Sequence, residues 1–178
     1  GLAVMVDVSG RWDETEALDA VETLADQRLT WIEEPIYPYN DYQLLHRVHD
    51  AAAAAGISLA AGENVFSVAG FERLSGSGAV DAIQPDLAKC GGQTTATQIA
   101  RVATEHGVSL APHNFSLGPS LLANIAWAAV TTMVEWVEVP WLGGTRTFPS
   151  GMVVPRLVDG RILPPDADGL GFAGVPPS

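Results

Sequence analysis

The sequence is poor in cysteine, in basic residues and in long apolar runs. Its 178 residues include one cysteine, Cys90, so no disulfide can form within the chain. Nine basic side chains stand against 21 acidic ones, and the formal net charge is −12. Because a phosphate backbone attracts the opposite sign, we expect no nucleic-acid partner. No uncharged apolar run reaches the ~18 residues of a membrane helix, so we expect no membrane partner either.

The composition is that of a globular protein. Apolar residues make up 47% of the chain and charged residues 17%, which is enough to bury a core and unlike a disordered chain. The first residues, Gly1-Leu2-Ala3-Val4, show no basic region followed by a long apolar stretch, as a secretory leader would. We therefore expect a cytoplasmic protein.

Short apolar runs alternate with stretches of helical periodicity, which indicates an α/β protein with parallel strands. After Pro140 the pattern changes to turns rich in glycine and proline. We expect one domain over residues 1–140 and an irregular C-terminal extension over 141–178 that packs on it or on a capping domain. The predicted strands cover 2–6, 30–32, 57–61, 80–84, 108–111 and 133–137, and the predicted helices 12–28, 42–55, 66–74, 92–105 and 119–130.

An ionisable residue follows each of the six predicted strands, at intervals of about one strand and one helix. In a (β/α)8 TIM barrel the carboxyl ends of all strands meet on one face, where the active site lies. The pattern therefore predicts six polar groups in one pocket of an incomplete barrel of about six β/α units, since a closed barrel takes about 200 to 250 residues. These residues are Asp7, Glu33, Glu63, Asp86, His113 and Glu138.

Three of these residues are carboxylates on consecutive strands: Asp7, Glu33 and Glu63. Like charges held close together repel each other unless a cation neutralises them. Hard oxygen ligands suit Mg²⁺, whereas zinc would want cysteine or histidine beside the acids. The sequence predicts a Mg²⁺ site formed by these three residues.

The next two strands predict a general base. A carboxylate at Asp86 could hydrogen-bond one imidazole nitrogen of His113, fix its tautomer and raise the proton affinity of the other nitrogen. Glu138 could donate a hydrogen bond to substrate if its pKa is raised, or it could pair with Arg146. The only lysine of the chain, Lys89, is either functional or a structural partner of a nearby carboxylate.

Five motifs resemble the enolase superfamily, and specifically its mandelate racemase-like branch. The tail from Val158-Asp159-Gly160 to Gly169-Leu170-Gly171 also looks like the closing segment of that family. The five motifs are Val6-Asp7, Trp31-Ile32-Glu33-Glu34-Pro35, Ala61-Gly62-Glu63-Asn64, Gln84-Pro85-Asp86-Leu87-Ala88-Lys89-Cys90-Gly91-Gly92 and Ala111-Pro112-His113-Asn114.

The resemblance implies a Mg²⁺-dependent enzyme that removes the proton α to a carboxylate and forms an enediolate. Its substrates would be sugar acids or related hydroxy acids, and the protein would form an even-numbered homo-oligomer. By position, the acids Asp7, Glu33 and Glu63 would bind the metal. His113 would be the base with Asp86 as its partner. Glu138 would hydrogen-bond the substrate carboxylate, and Lys89 matches the lysine that follows the strand-end aspartate.

The sequence also departs from this family. Ser9 replaces the usual asparagine two residues after the first metal aspartate, and Asp168 replaces the usual proline before the closing Gly-Leu-Gly. The capping domain and the first two barrel strands have no counterpart in the sequence. Two interpretations follow: a part of a larger acid-sugar dehydratase or racemase, or a truncated homologue that only binds magnesium or is structural.

Other features have simpler interpretations. Gly91-Gly92 could cradle a phosphate in a doubly wound fold, but no glycine-rich nucleotide motif is present in the chain. His46 and His49, three residues apart on a predicted helix, could share a metal, although an exposed helix face is the simpler expectation. Trp141, after the last predicted strand, is a candidate substrate contact.

Overall fold

The computed structural model describes residues 2–140, 148 and 151–171. Five parallel strands form one sheet, and a helix follows each of them. The strands are β1 (Met5–Asp7), β2 (Trp31–Glu33), β3 (Ser58–Ala61), β4 (Ala82–Ile83) and β5 (Ser109–Leu110). The helices are α1 (Glu14–Leu24), α2 (Tyr42–Ala54), α3 (Val68–Gly76), α4 (Gly92–His106) and α5 (Pro119–Ala128).

The strands lie in the sheet in the order in which they occur in the chain, from β1 to β5. In the described part of the chain the order never reverses, so the sheet has no switch point of the kind that doubly wound nucleotide-binding folds use. Repeated parallel β/α units in one direction are the pattern of a barrel wall. The prediction of a partial (β/α) barrel is confirmed.

Local sequence explains where the helices begin. Before α1 a capping box forms, because the Asp13 carboxylate accepts the Glu16 N–H and the Glu16 carboxylate accepts the Asp13 N–H. Asp41 accepts the Leu44 N–H at the start of α2 in the same way. These caps satisfy backbone donors that have no partner inside a helix.

The two faces of the sheet bury different side chains, as alternation along a strand requires. The face toward the helices carries large aliphatic residues, whereas the inner face carries Trp31 and three alanines with Met5 packed against them. The small residues leave room on the inner face beside the carboxyl ends of the strands. The buried aliphatic residues toward the helices include Ile32, Leu59, Ile83 and Leu110, and the three alanines are Ala60, Ala82 and Ala111.

The predicted sixth strand is reduced to a single parallel bridge between Leu110 and Val134. The Leu110 N–H donates to the Met133 carbonyl at 3.1 Å, which is the start of a strand pairing. Met133 has a φ of +72°, outside the extended region, so the strand does not propagate from this point. The expected polar residue of this segment, Glu138, nevertheless reaches the same edge of the sheet.

The C-terminal segment contains a regular element where irregular structure was predicted. Strands β6 (Arg156–Val158) and β7 (Arg161–Leu163) form an antiparallel hairpin. The two residues of its turn, Asp159 and Gly160, have φ values of +48° and +74°, as a tight hairpin turn needs. An Asp-Gly pair is a known sequence signal for such a turn, so the local sequence could have predicted this element.

Two predictions fall on residues that the structure does not describe. These are the substrate contact of Trp141 and the pairing of Glu138 with Arg146, and both lie outside the described residues. None of the described helices is both long enough and apolar enough to cross a membrane.

Candidate active site and metal centre

The register of the strands brings the strand-end residues together. Asp7 pairs directly with Glu33 across β1 and β2. Ile83 pairs with Leu110, so Asp86 and His113, each three residues further on, leave the sheet side by side. Because both residues lie the same number of positions beyond a paired strand residue, their side chains lie on one edge of the sheet. Glu63, two residues beyond β3, completes the row.

His113 lies against two carboxylates. Its Nδ1 is 2.9 Å from Oδ2 of Asp86, and its Nε2 is 2.7 Å from Oε2 of Glu63. Burial alone would lower the pKa of His113, but hydrogen bonds to these two acids outweigh it and raise the pKa to about 10. While both carboxylates contact it, the imidazole therefore carries a proton on each nitrogen at neutral pH.

The imidazole lowers the pKa of both acids. Burial would raise the pKa of Asp86, yet the hydrogen bond from His113, the Ala88 N–H at 2.8 Å and the Lys89 charge together lower it. The hydrogen bond from His113 lowers the pKa of Glu63 below its ordinary value. Both acids remain ionised and orient the ring.

Asp7 and Glu33 lie at the other end of the row. Asp7 accepts the Ser9 backbone N–H at 2.8 Å and the Ser9 hydroxyl at 3.2 Å, so serine holds this carboxylate. Burial, together with the charges of Asp7, Glu138 and Glu63, raises the pKa of Glu33 to about 7, although a hydrogen bond from Gln84 opposes this shift. A carboxylate among others of the same sign is a place where a cation would be stabilised.

Glu138 faces His113 from the far side. One of its oxygens accepts the Asn114 N–H at 2.7 Å and lies 3.9 Å from His113 Nε2. Burial raises the pKa of Glu138 above its ordinary value. When protonated, this carboxyl group could donate a hydrogen bond through its other oxygen.

A cavity of about 220 Å³ opens beside these acids. Its walls include the Trp31 and Trp136 rings, which meet edge to face at 6.2 Å. The polar side of the cavity is formed by Asp7, Glu33, Gln84 and Glu138. Its size and mixed lining are suited to a small molecule with polar and apolar parts.

The three predicted metal ligands lie along one edge of the sheet, but their oxygen atoms do not converge within 4.8 Å in the described structure. Glu63 is turned to His113, while Asp7 is held by Ser9. Mutual repulsion of the acids and the attraction of the imidazole favour this orientation of Glu63. Lys89 lies 4.0 Å from Asp86 Oδ2, and its ammonium donates to the Glu63 carbonyl at 3.2 Å.

Two buried residues, Glu34 and Gln84, lie beside the strand-end acids. Glu34 is buried and accepts the Gly62 N–H at 2.8 Å, next to Glu63. Gln84 is buried on the cavity wall, and its Oε1 has no hydrogen-bond partner in the described part of the chain. In the sequence, the only feature that marks these two residues is that each lies within two positions of a strand-end acid. That signal cannot show which way a side chain points.

A family model described as "Enolase C-terminal domain-like" matches residues 1–174. The chain is similar to a D-galactarolactone cycloisomerase of Agrobacterium fabrum, with 32% identity over 96% of this chain and 46% of that protein. It is also similar to a D-galactonate dehydratase of Ralstonia pickettii, with 36% identity over 93% of this chain and 44% of that protein.

Among solved structures, one similar chain is the L-talarate dehydratase of Polaromonas sp. JS666, crystallised with Mg and L-glucarate. The TM-score is 0.77 at 30% identity, over 96% of this chain and 42% of that chain. The chain thus spans less than half of the length of each of these three relatives.

Proposed function

The chain belongs to the enolase C-terminal domain-like family, and from this premise we propose that it forms part of an enzyme that removes the proton α to a carboxylate. The observation that carries the proposal is the Asp86–His113 pair beside a row of carboxylates. The reaction would be an acid-sugar dehydration, a racemisation or an epimerisation through an enediolate.

The donor set fits Mg²⁺. Asp7 and Glu33 line one cavity, and Glu63 follows the neighbouring strand at the same edge of the sheet. Burial and the neighbouring negative charges raise the pKa of Glu33. Mg²⁺ prefers oxygen ligands and takes few carboxylates from the protein. Bound there, the cation would stabilise the negative charge that develops on the substrate carboxylate.

His113 would be the base. A carboxylate can only accept a hydrogen bond, so the neutral ring would keep its proton on Nδ1 against Asp86, and Nε2 would carry the lone pair when Glu63 binds the metal ion instead of contacting His113. Nε2 is thus the atom that would take the α-proton. Asp86 would then stabilise the imidazolium that results.

Glu138 and Lys89 would orient the substrate and the base. A Glu138 carboxyl with a raised pKa can donate a hydrogen bond to a substrate carboxylate, and its contact with the Asn114 N–H keeps it on the cavity side. Lys89 would act as a positioning residue, because its ammonium neighbours Asp86 and the Glu63 backbone.

The names of the relatives support sugar acids as the substrate class. Two curated relatives are a galactarolactone cycloisomerase and a galactonate dehydratase, and the similar solved structure holds L-glucarate. All three names point to polyhydroxylated acids with a proton α to a carboxyl group. Of the alternatives, we favour dehydration.

The test is Mg²⁺-dependent exchange of α-protons into D₂O over a panel of sugar acids, with the intact mass measured on the same preparation. Exchange that stops on chelation supports the proposal, and the panel then begins to name the substrate. Magnesium binding without any exchange supports the alternative, a homologue that binds the metal without catalysis. Exchange that persists after chelation would contradict the magnesium assignment.

We also propose a cytoplasmic homo-oligomer in which residues 141–178 pack on the barrel or on a capping domain. The resemblance to the enolase superfamily, whose members tend to form even-numbered assemblies, supports this proposal. Sedimentation velocity at several concentrations measures the assembly. A monomer at all concentrations would refute it.

A further inference from the structure

A second cluster of potential metal ligands lies on α2, far from the row of strand-end acids. One ligand atom each from His46, His49 and Asp50 lies within 4.8 Å of the others, and this is the only such group of three among the described residues. The two imidazole rings stack with centroids 6.1 Å apart and planes inclined by 21°. Helical spacing of three and four residues places all three on one face.

Hydrogen bonds from outside the helix fix the tautomer of His46. Its Nδ1 is 3.1 Å from the Gly78 carbonyl oxygen, which can only accept a hydrogen bond. The Nδ1 atom therefore carries the proton. In the neutral ring, the lone pair is then on Nε2, which faces Asp50 Oδ1 at 3.9 Å.

His49 has the opposite tautomer to His46. Its Nε2 is 3.3 Å from the Asp81 carboxylate, so this nitrogen carries the proton and Nδ1 holds the lone pair. Nδ1 is buried and has no hydrogen-bond partner within the described residues. It lies 3.9 Å from the same oxygen, Oδ1 of Asp50.

With both rings neutral, two lone pairs thus face one carboxylate oxygen with no proton between them. An unpartnered buried nitrogen is costly, and lone pairs directed at an anion repel it unless a cation lies between them. Histidine ligands of a metal characteristically donate their other N–H to a carboxylate or a backbone carbonyl. Asp81 and Gly78 provide these two outer contacts.

We propose that His46, His49 and Asp50 bind a divalent transition-metal ion of the Zn²⁺ class. Two imidazole nitrogens and one carboxylate suit zinc, nickel or copper, whereas Mg²⁺ and Ca²⁺ prefer oxygen ligands alone. Donor atoms around a tetrahedral zinc ion are roughly 3.4 Å apart, given metal–ligand bonds of about 2.0–2.2 Å. The exposed His46 and Asp50 side chains can close the remaining gap by small rotations.

The site lies at the opposite end of the sheet from the proposed active site. Asp81 directly precedes β4, whereas Asp86 follows it, so the two sites flank the strand at its amino and carboxyl ends. Through Gly78 and Asp81 the ion would tie α2 to the segment between α3 and β4. Residues at this end of a barrel serve stability, so we expect a structural ion.

The test is calorimetric titration of the full-length protein with Zn²⁺ in excess Mg²⁺, so that the row of strand-end acids is already occupied. We expect one Zn²⁺ ion per chain, with the affinity lowered at least tenfold by His46→Gln and by Asp50→Asn. Both side chains are exposed, so these variants should fold. His106→Gln is the matched control, because His106 is a surface histidine paired with Glu72 outside the cluster.

Electron paramagnetic resonance of bound Cu²⁺ measures independently how many imidazole nitrogens bind the ion at this site. We expect hyperfine splitting from two imidazole nitrogens in the wild type and from one in His46→Gln. The proposal is overturned if Zn²⁺ does not bind in excess Mg²⁺, or if His46→Gln and Asp50→Asn bind as tightly as the His106→Gln control.

Discussion

Nδ1 of His113 lies 2.9 Å from Oδ2 of Asp86, although 27 residues separate the two in the chain. The contact follows from the parallel pairing of Ile83 with Leu110. Asp86 lies three residues beyond Ile83, and His113 lies three residues beyond Leu110. The Ala88 N–H donates to the other Asp86 oxygen and fixes the carboxylate. The orientation of the imidazole therefore results from strand register together with one local hydrogen bond.

Replacing the base tests its role directly. We expect His113→Asn to lower α-proton exchange by about 10²–10⁴-fold, the usual contribution of general-base catalysis, while the affinity for Mg²⁺ changes little. Exchange into D₂O and magnesium calorimetry measure the two effects separately. His106→Asn, outside the site, should retain exchange. Full exchange in His113→Asn would rule out His113 as the base.

The metal assignment rests on the three carboxylates. We expect Glu63→Gln to weaken Mg²⁺ binding at least tenfold, because one of three clustered negative charges is removed and the charge attraction falls. Magnesium calorimetry gives the affinity. Glu72→Gln is the control, since Glu72 is an exposed acid that contacts His106 instead. An affinity equal to that of the control would remove Glu63 from the metal site.

Gly62 holds the backbone that carries Glu63. Its φ is +129°, and a Cβ there would lie 2.9 Å from a ring carbon of Phe71 and 3.1 Å from the Gln84 backbone nitrogen. We expect Gly62→Ala to lower the free energy of unfolding by about 1–3 kcal/mol, from strain and overpacking, and to weaken Mg²⁺ binding through a displaced Glu63. Urea unfolding and magnesium calorimetry measure the two effects.

Gly56→Ala is the control that separates backbone strain from crowding of the added Cβ. Gly56 also has a positive φ, +73°, but a Cβ there meets nothing within 4 Å. The control should therefore lose some stability through its backbone and keep its full Mg²⁺ affinity. Equal magnesium affinities in the two variants would show that the contact with Phe71 does not position Glu63.

A surface ion pair gives a pH dependence with a definite sign. Arg47 contacts both carboxylate oxygens of Glu14 and joins α2 to α1, and its hydrogen bond lowers the pKa of Glu14. A lowered folded-state pKa contributes stability above the ordinary value of the carboxyl group, and this stability is lost as the pH falls through the folded value.

We therefore expect Arg47→Gln to be less stable than the wild type at neutral pH, by a small margin because the pair is exposed. The difference should shrink as the pH falls below about 4, where Glu14 becomes protonated in both states. Urea unfolding over this range measures it, with Arg101→Gln as the control on another exposed helix face. A stability difference between wild type and Arg47→Gln that grows in acid would contradict a stabilising Glu14–Arg47 ion pair.

The sequence by itself determined the alternation of strands and helices, the family and the partial barrel. Apolar runs of strand length and helical periodicity are local properties, and caps such as Asp13 with Glu16 act within one turn. It also predicted that Asp86 and His113 would meet, because strand ends of a parallel sheet converge on one edge. The Asp159-Gly160 hairpin was equally local, and its signal was present in the sequence.

Only the tertiary structure decided how the side chains are directed. Glu63 turns to His113, and Met133 takes a positive φ that limits the last predicted strand to one bridge. The tautomers of His46 and His49 depend on Gly78 and Asp81, each 32 residues away in sequence. Hydrogen bonds between distant segments form only once packing has set their distance, so no local pattern could have predicted them.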